Sequence, residues 1–363
     1  MFDRVTVVGT GLIGGSIGLG LRGSFPRAKV IGFDEDEAAA RAALGRGALT
    51  AVAGTAEEAA RDAEVVFLSP PVDLIAQTCR VIAAAVPPDA VVTDVGSAKA
   101  DVVRAGEEAF GGRFVGGHPM AGSERGGIEA ADARLFQDGW WILTPTPTTA
   151  SDAYSTVASV VRVLGAKPVA VEPQAHDALV ARLSHLPQLT ASALVEVAVA
   201  AGERDALLGL AGAGFRDVTR IAASQPDLWV AIIRANRSAV LEALDGLGER
   251  LAGVSKLIST DSWSELKSFL AGARTARLEL FAKPVFGGEP VALSMMVPDR
   301  PGVLAEVTTA ATELGVNIED LRIVHSTEGG RGRLELVIAG KDRAEELVGV
   351  LTKLGYWVDH TVD

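Results

Sequence analysis

A doubly wound α/β sheet, then an all-α domain, then a small βαββαβ unit is the architecture this sequence predicts. Three observations predict it. Over the first 170 residues short Val/Ile-rich runs alternate with Ala-rich amphipathic stretches, the pattern of strands and crossover helices in a largely parallel sheet. Beyond residue 173 the strand pattern gives way to long Ala/Leu/Val stretches. After a Pro/Gly-rich linker, residues 291–363 read strand, helix, strand, strand, helix, strand, a ferredoxin-like order.

In the first domain, residues 1–172, strands are expected at 5–8, 29–33, 65–69, 91–94, 114–116 and 141–144, with one more at 167–171. Helices are expected at 12–21, 37–44, 72–85 and 152–164. The helical domain, 173–283, carries stretches at 176–196, 206–210, 229–251 and 263–281. Several are apolar over more than one face, so they must be buried on several sides. A second copy of the chain is the expected cover, which makes a homodimer the expected assembly. The linker is 284–290, with Pro284, Gly287, Gly288 and Pro290 as breakers. The pieces of the last unit fall at 291–297, 303–314, 317–325, 332–338, 341–354 and 357–362.

The 363 residues carry 34 basic and 46 acidic side chains, a net charge of −12. That balance argues against nucleic acid, whose phosphates need a basic face, and against an anionic membrane surface. An anionic small molecule stays open if a few arginines converge on one cleft. One cysteine, Cys79, makes no internal disulfide and no multi-Cys zinc site, so no metal is expected. The chain enters its first strand within five residues, and its most apolar later segment is broken by Pro187, Gln188 and Glu196. A cytoplasmic protein is expected.

Gly9-Thr10-Gly11-Leu12-Ile13-Gly14 stands between the first strand and the first helix. The first glycine permits the turn, the second lets a pyrophosphate approach the backbone, and the third lets helix and strand pack. Leu12 and Ile13 open the helix whose free N–H groups would meet that anion. Asp34 ends the second strand 20 residues beyond Gly14, placed to accept from ribose hydroxyls and to repel a 2′-phosphate. Glu35 and Asp36 follow and no basic residue appears before Arg41. The expected fold is therefore Rossmann-type and the expected cofactor NAD. The acids also suit a helix cap, and the two roles are compatible.

Three further segments place polar residues where the scaffold predicts strand ends or buried helix. Thr93-Asp94-Val95-Gly96-Ser97-Ala98-Lys99 follows the fourth strand, and Gly117-His118-Pro119-Met120-Ala121-Gly122-Ser123-Glu124 follows the fifth. Carboxyl ends of parallel strands are where such sheets bind ligands. A histidine there suits proton abstraction from an alcohol whose carbon loses hydride; a structural histidine capping a turn is the plainer alternative. His176-Asp177 precedes Ser184-His185-Leu186-Pro187-Gln188, a polar helix face that is either a buried hydrogen-bond network or a site. Arg216 and Arg220 lie four apart with Asp217 between them, either a surface ion cluster or a guanidinium fork for a carboxylate.

Taken in order and spacing, these segments make the chain resemble the prephenate/arogenate dehydrogenase family over essentially its whole length. The resemblance implies an NAD-dependent, decarboxylating oxidoreductase of tyrosine biosynthesis, acting on prephenate, with arogenate as the alternative. It implies that His118 takes the proton of the ring hydroxyl and that Ser97 hydrogen-bonds that hydroxyl or orients His118. It implies that Arg220 holds a substrate carboxylate, and that His176, Ser184 and Gln188 line the substrate pocket. Glu124, with Asp217, would extend an ion network to Arg220 at the entrance. The chain departs from the family where many members have histidine and it has Gln188. A neutral amide removes repulsion against arogenate's ammonium and attraction for prephenate's keto acid. Other two-domain dehydrogenases that use a lysine in the helical domain fit less well, because residues 173–251 contain none. A non-catalytic NAD and amino-acid sensor is the remaining alternative; it would bind cofactor without turnover.

Pro298-Asp299-Arg300-Pro301-Gly302-Val303-Leu304 and Gly315-Val316-Asn317-Ile318-Glu319 resemble an ACT domain. The resemblance implies amino-acid binding at shared loops, with Gly302 and Asn317 as contacts and tyrosine as the effector. A purely structural or dimerising module is the alternative.

Overall fold

The computed structural model describes residues 3–122, 126–200, 211–280, 290–298, 300, 302–316, 318–325 and 331–361. Its contacts divide the chain into two compact units, residues 1–252 and 253–363.

The first unit holds an eight-stranded sheet made of β1 (Arg4–Val8), β2 (Lys29–Phe33), β3 (Ala51–Val52), β4 (Val65–Leu68), β5 (Val91–Asp94), β6 (Phe114–Pro119), β7 (Trp140–Thr144) and β8 (Lys167–Ala170). Their order is β3-β2-β1-β4-β5-β6-β7-β8. Every neighbouring pair is parallel except β6 and β7. β4 and β5 are buried at every position, as strands covered on both faces must be. One core lies among Ile17, Leu21, Phe67, Trp141 and Val161. A second lies among Leu68, Ile75, Ile82, Val103 and Phe114. The covering helices are α1 (Leu12–Ser24), α2 (Glu37–Gly45), α3 (Ala56–Ala60), α4 (Val72–Ile82), α5 (Ala100–Phe110) and α6 (Ser151–Val163).

β3, α3 and α5 stand where the sequence pattern predicts no element. β3 is two residues long and shows no periodicity. α5 begins where Asp177, 77 residues away, accepts hydrogen bonds from its leading N–H groups, so its start signal is not local.

Downstream, α7 (Pro173–Val180) runs through a π-helical turn (Ala181–His185) into α8 (Leu186–Ala200). Pro187 supplies no N–H to the preceding turn, and a widened turn is how a continuous helix accommodates that loss. α9 (Ala213–Thr219), a 3-10 turn (Arg220–Ala223), α10 (Pro226–Ala235) and α11 (Arg237–Ser259) follow. The single helix expected at 229–251 is in fact two. Asn236 leaves the helical region at φ −117°, ψ 33° and its side-chain amide donates to the carbonyl of Asp177 at 2.8 Å. The helix expected at 206–210 lies outside the described residues. Ala181, Val240 and Ala243 form a small core here with Leu186, Leu189 and Ile233.

The second unit contains α12 (Trp263–Leu280) and an antiparallel sheet of β9 (Pro290–Pro298), β10 (Ile318–His325), β11 (Arg331–Ala339) and β12 (Val358–Thr361), in the order β10-β11-β9-β12. With α13 (Val303–Glu313) and α14 (Lys341–Lys353) this is the expected βαββαβ unit, packed around Leu293, Val307, Leu336, Leu347 and Leu351. The expected linker lies outside the described residues apart from Pro290. No helix among the described residues is long and apolar enough to cross a membrane.

Candidate active site

The glycine turn between β1 and α1 opens on a cleft of about 530 Å³. Gly9 sits at φ +89°, and a Cβ there would lie 2.4 Å from the backbone of Ser69. A Cβ on Gly14 would lie 1.9 Å from the Gly9 carbonyl, while Gly11 faces open space. Two glycines thus keep the turn tight and the third leaves bare backbone toward the cleft. Asp34 accepts from the N–H of Thr10 at 2.6 Å, its hydroxyl at 3.1 Å and the N–H of Asp36 at 3.0 Å. The carboxylate therefore fixes the glycine turn and still lines the cleft with Glu35 and Asp36, where no Lys or Arg joins them. These residues fit the adenosine half of NAD: backbone and a helix N-terminus for the pyrophosphate, and acceptors for ribose hydroxyls.

Because β1, β4, β5 and β6 are parallel, the Gly9 turn, the loop bearing Ser97 and the end of β6 bearing His118 share one edge of the sheet. His118 Nδ1 lies 2.9 Å from His176 Nε2, and the rings meet edge to face. His176 Nδ1 lies 2.8 Å from Asp177 Oδ1. Asp177 Oδ1 accepts from the N–H of Lys99 at 2.7 Å and Oδ2 from that of Ala100 at 2.9 Å. Lys99 is completely buried; its ammonium donates to Asp94 and, at 2.7 Å, to the carbonyl of Gly117. Asp94 also accepts from the N–H groups of Gly96 and Gly117. The ends of β5 and β6, the start of α5 and helix α7 are thus tied into one polar cluster.

The cluster controls its own charges. Burial holds His118 well below the usual histidine range, and the neighbouring His176, Lys99 and His185 push the same way. Burial also lowers His176, against the pull of Asp177. Burial would raise Asp177, but donation from His176, Ala100 and Lys99 brings it below its ordinary value. Burial lowers Lys99, opposed by Asp94, and brings His185 down to about 4. Unfolded histidines titrate near 6.5. These three bind protons less readily when folded, so their stabilisation is complete above about 6.5 and is lost as pH falls, down to about 4 for His185. The unfolding temperature is expected to fall between about pH 6.5 and about pH 5, where exposed carboxylates are still ionised. A flat thermal profile across that window would contradict the neutral assignment.

The structure does not bring every expected site residue together. His118 and His176 are in contact, but His176 is fully buried behind His118 and does not line an open pocket, because Asp177 and α5 hold it inward. Gln188 is buried on α8, its side-chain oxygen without a partner among the described residues. Ser184 is partly exposed in the π-helical turn. Arg220 lies on the 3-10 turn that packs on α8 and is exposed in the single chain. Glu124 and Asn317 lie outside the described residues. Gly302 takes φ +94° at the start of α13. Sequence reading gave no role to Lys99, Asp94 or Asn236. The signal for the first two was an acid and a lysine five residues apart, the acid closing the strand Val91–Asp94. Cys79 is buried and its thiol is pushed up to about 12, chiefly by burial, which leaves it inert. Among the described residues no group of His, Cys, Asp or Glu could hold a metal ion.

Comparison with known proteins agrees along the chain. The profile described as prephenate dehydrogenase, nucleotide-binding domain, matches residues 17–170, and that described as prephenate dehydrogenase, dimerization domain, matches 172–272. An AHAS small subunit-like ACT domain profile matches 293–357. A prephenate dehydrogenase of Bacillus subtilis (strain 168) is 31% identical over 359 residues, 96% of each chain. The crystal structure of an Aquifex aeolicus prephenate dehydrogenase with hydroxyphenyl propionate and NAD+ superposes with a TM-score of 0.72 at 32% identity, covering 77% of this chain and 99% of that one. A Synechocystis arogenate dehydrogenase gives 0.67 at 32% identity, covering 76% and 99%.

Proposed function

The chain belongs to the prephenate dehydrogenase family and is an NAD-dependent oxidoreductase, and on that premise we propose that it converts prephenate to 4-hydroxyphenylpyruvate and CO2 in tyrosine biosynthesis. The observation that carries the proposal is His118, neutral at the end of β6 on the same sheet edge as the glycine turn. His118 accepts the proton of the ring C4 hydroxyl, and Ser97, on the neighbouring loop, hydrogen-bonds that hydroxyl. NAD+, held at the Gly9 turn and Asp34, would supply the acceptor for the hydride that leaves C4. The resulting dienone is the electron sink into which the C1–CO2 bond breaks. Aromatisation drives that step, and His118 returns its proton to the phenolate oxygen. The first test is NADH formation from purified protein with prephenate; no turnover with either prephenate or arogenate would defeat the proposal.

Arg220 is proposed to hold the ring carboxylate. A charge-assisted bond of this kind is worth about 1.5–3 kcal/mol, so Arg220→Gln is expected to raise KM for prephenate roughly 10- to 100-fold, with kcat nearly kept. A fall in kcat at unchanged KM would remove that role. Ser184 and Gln188 are proposed to line the side-chain end, with Glu124 ordering the entrance. A second reading, arogenate, is favoured by one observation. The unpartnered, buried oxygen of Gln188 is an acceptor suited to an ammonium group. The ratio of kcat/KM for the two substrates decides between them.

A homodimer is proposed because Val197, Val218, Val230 and Leu251 are each more than half exposed in the single chain, and a second copy would cover them. The expected compartment is the cytoplasm. Tyrosine is proposed as effector of the C-terminal unit, with Gly302 and Asn317 as its contacts. Saturating tyrosine that leaves turnover unchanged would show that unit to be structural.

A further inference from the structure

We infer that His176 and Asp177 are positioning residues for His118, fixing its proton on Nδ1 and so presenting a bare Nε2 to the substrate hydroxyl. The inference rests on the proposed reaction for its kinetic consequences, but the tautomers follow from the hydrogen bonds alone. Asp177 accepts two backbone N–H groups at the start of α5, where the helix dipole also favours an anion, so it is ionised and can only accept. His176 Nδ1, 2.8 Å from that carboxylate, must then carry the hydrogen. A neutral imidazole with its proton on Nδ1 has a lone pair on Nε2. His118 Nδ1, 2.9 Å away, must be the donor to it, which leaves the lone pair of His118 on Nε2.

The same chain accommodates the charge made in turnover. The substrate O–H bond breaks, the Nε2–H bond of His118 forms, and His118 becomes an imidazolium whose Nδ1 proton is shared with His176 Nε2. The positive charge is spread toward Asp177. The groups facing this pair are Lys99 and His185, which oppose a second positive charge, and Asp94 and Asp177, which favour it. Without Asp177 the buried ammonium of Lys99 would be the nearest strong field. Asn236 supports the arrangement from behind, donating to the Asp177 carbonyl at 2.8 Å and lying 3.3 Å from His185 Nδ1.

The test uses the full-length enzyme and two variants. His176→Gln keeps an acceptor for His118 Nδ1 but no second titrating ring; His176→Phe removes both. By analogy with other oriented histidine bases, His176→Phe is expected to lose kcat by a factor on the order of 10²–10⁴. KM for prephenate and NAD affinity should stay within about twofold, since neither ligand contacts a residue buried behind His118. The glutamine variant should recover part of kcat, with the acidic limb of its pH profile displaced from that of the wild type. Nitrogen-15 spectra of histidine-labelled protein read the tautomer without any turnover: His118 is expected as the Nδ1–H form in the wild type and as a mixture in His176→Phe. An Nε2–H form in the wild type would overturn the inference even if prephenate is turned over. A His176→Phe enzyme with wild-type kcat and pH profile, or one altered only in KM, would overturn it too. If the wild type turns over neither substrate but shows the Nδ1–H form, the functional reading fails and the tautomer assignment stands.

Discussion

His118→Asn is expected to lower kcat by a factor on the order of 10²–10⁴, the usual worth of a positioned general base, while the affinity for NAD stays unchanged. Asparagine is close in size and can still accept at one oxygen from a hydroxyl, but it cannot take up a proton at any pH near neutrality. The loss should therefore appear in kcat and kcat/KM alike, the signature of an interaction made only in the transition state. The cofactor cleft is formed by the Gly9 turn, Asp34 and the loop at Ser69, none of which His118 touches. NAD titration monitored by tryptophan fluorescence checks the second half of the expectation. A variant that keeps full kcat would leave Ser97 or another residue of the loop after β6 as the base, whereas loss of NAD binding would point to misfolding of the β6 edge.

The parts of this architecture that announce themselves in sequence are those with local causes. Val5–Val8-type runs, the three spaced glycines and Asp34 each owe their form to neighbours within one βαβ unit, so pattern and structure agree there. The two-residue β3 is too short to show a period, and the antiparallel pairing of β7 with β6 leaves no mark in the residues of a strand that is itself expected at 141–144. The site is legible as a set of segments but not as a network. The segments that carry His118 and Ser97 stand out because strand ends of a parallel sheet bind ligands. His176 looked like a pocket residue because a polar helix face reads the same whether it meets substrate or another side chain. What decides between them is Asp177, whose partners at Lys99 and Ala100 lie 78 and 77 residues away. Asn236 likewise breaks a helix that its composition would continue, for the sake of a bond to the Asp177 carbonyl.

The largest effect on stability is expected at Lys99, a residue that touches no substrate in this reading. Lys99→Met removes an ammonium that is fully buried with Asp94 and leaves that carboxylate enclosed without its counter-ion. Breaking a buried pair on one side costs about 3–5 kcal/mol. Asp94 would retain the N–H groups of Gly96 and Gly117, which soften the loss but do not neutralise a charge. At roughly 2–4 °C per kcal/mol for a domain of this size, the unfolding temperature should drop by about 6–20 °C. The double variant Asp94→Asn with Lys99→Met removes the stranded charge as well, so it should recover much of the stability of the single variant. That non-additivity separates a coupled pair from two independent packing residues. If the single variant unfolds at the wild-type temperature, the pair contributes nothing to the fold. If the double variant is as unstable as the two losses summed, Lys99 acts through its bond to the Gly117 carbonyl instead. Its role would then be to hold the strand end on which His118 stands.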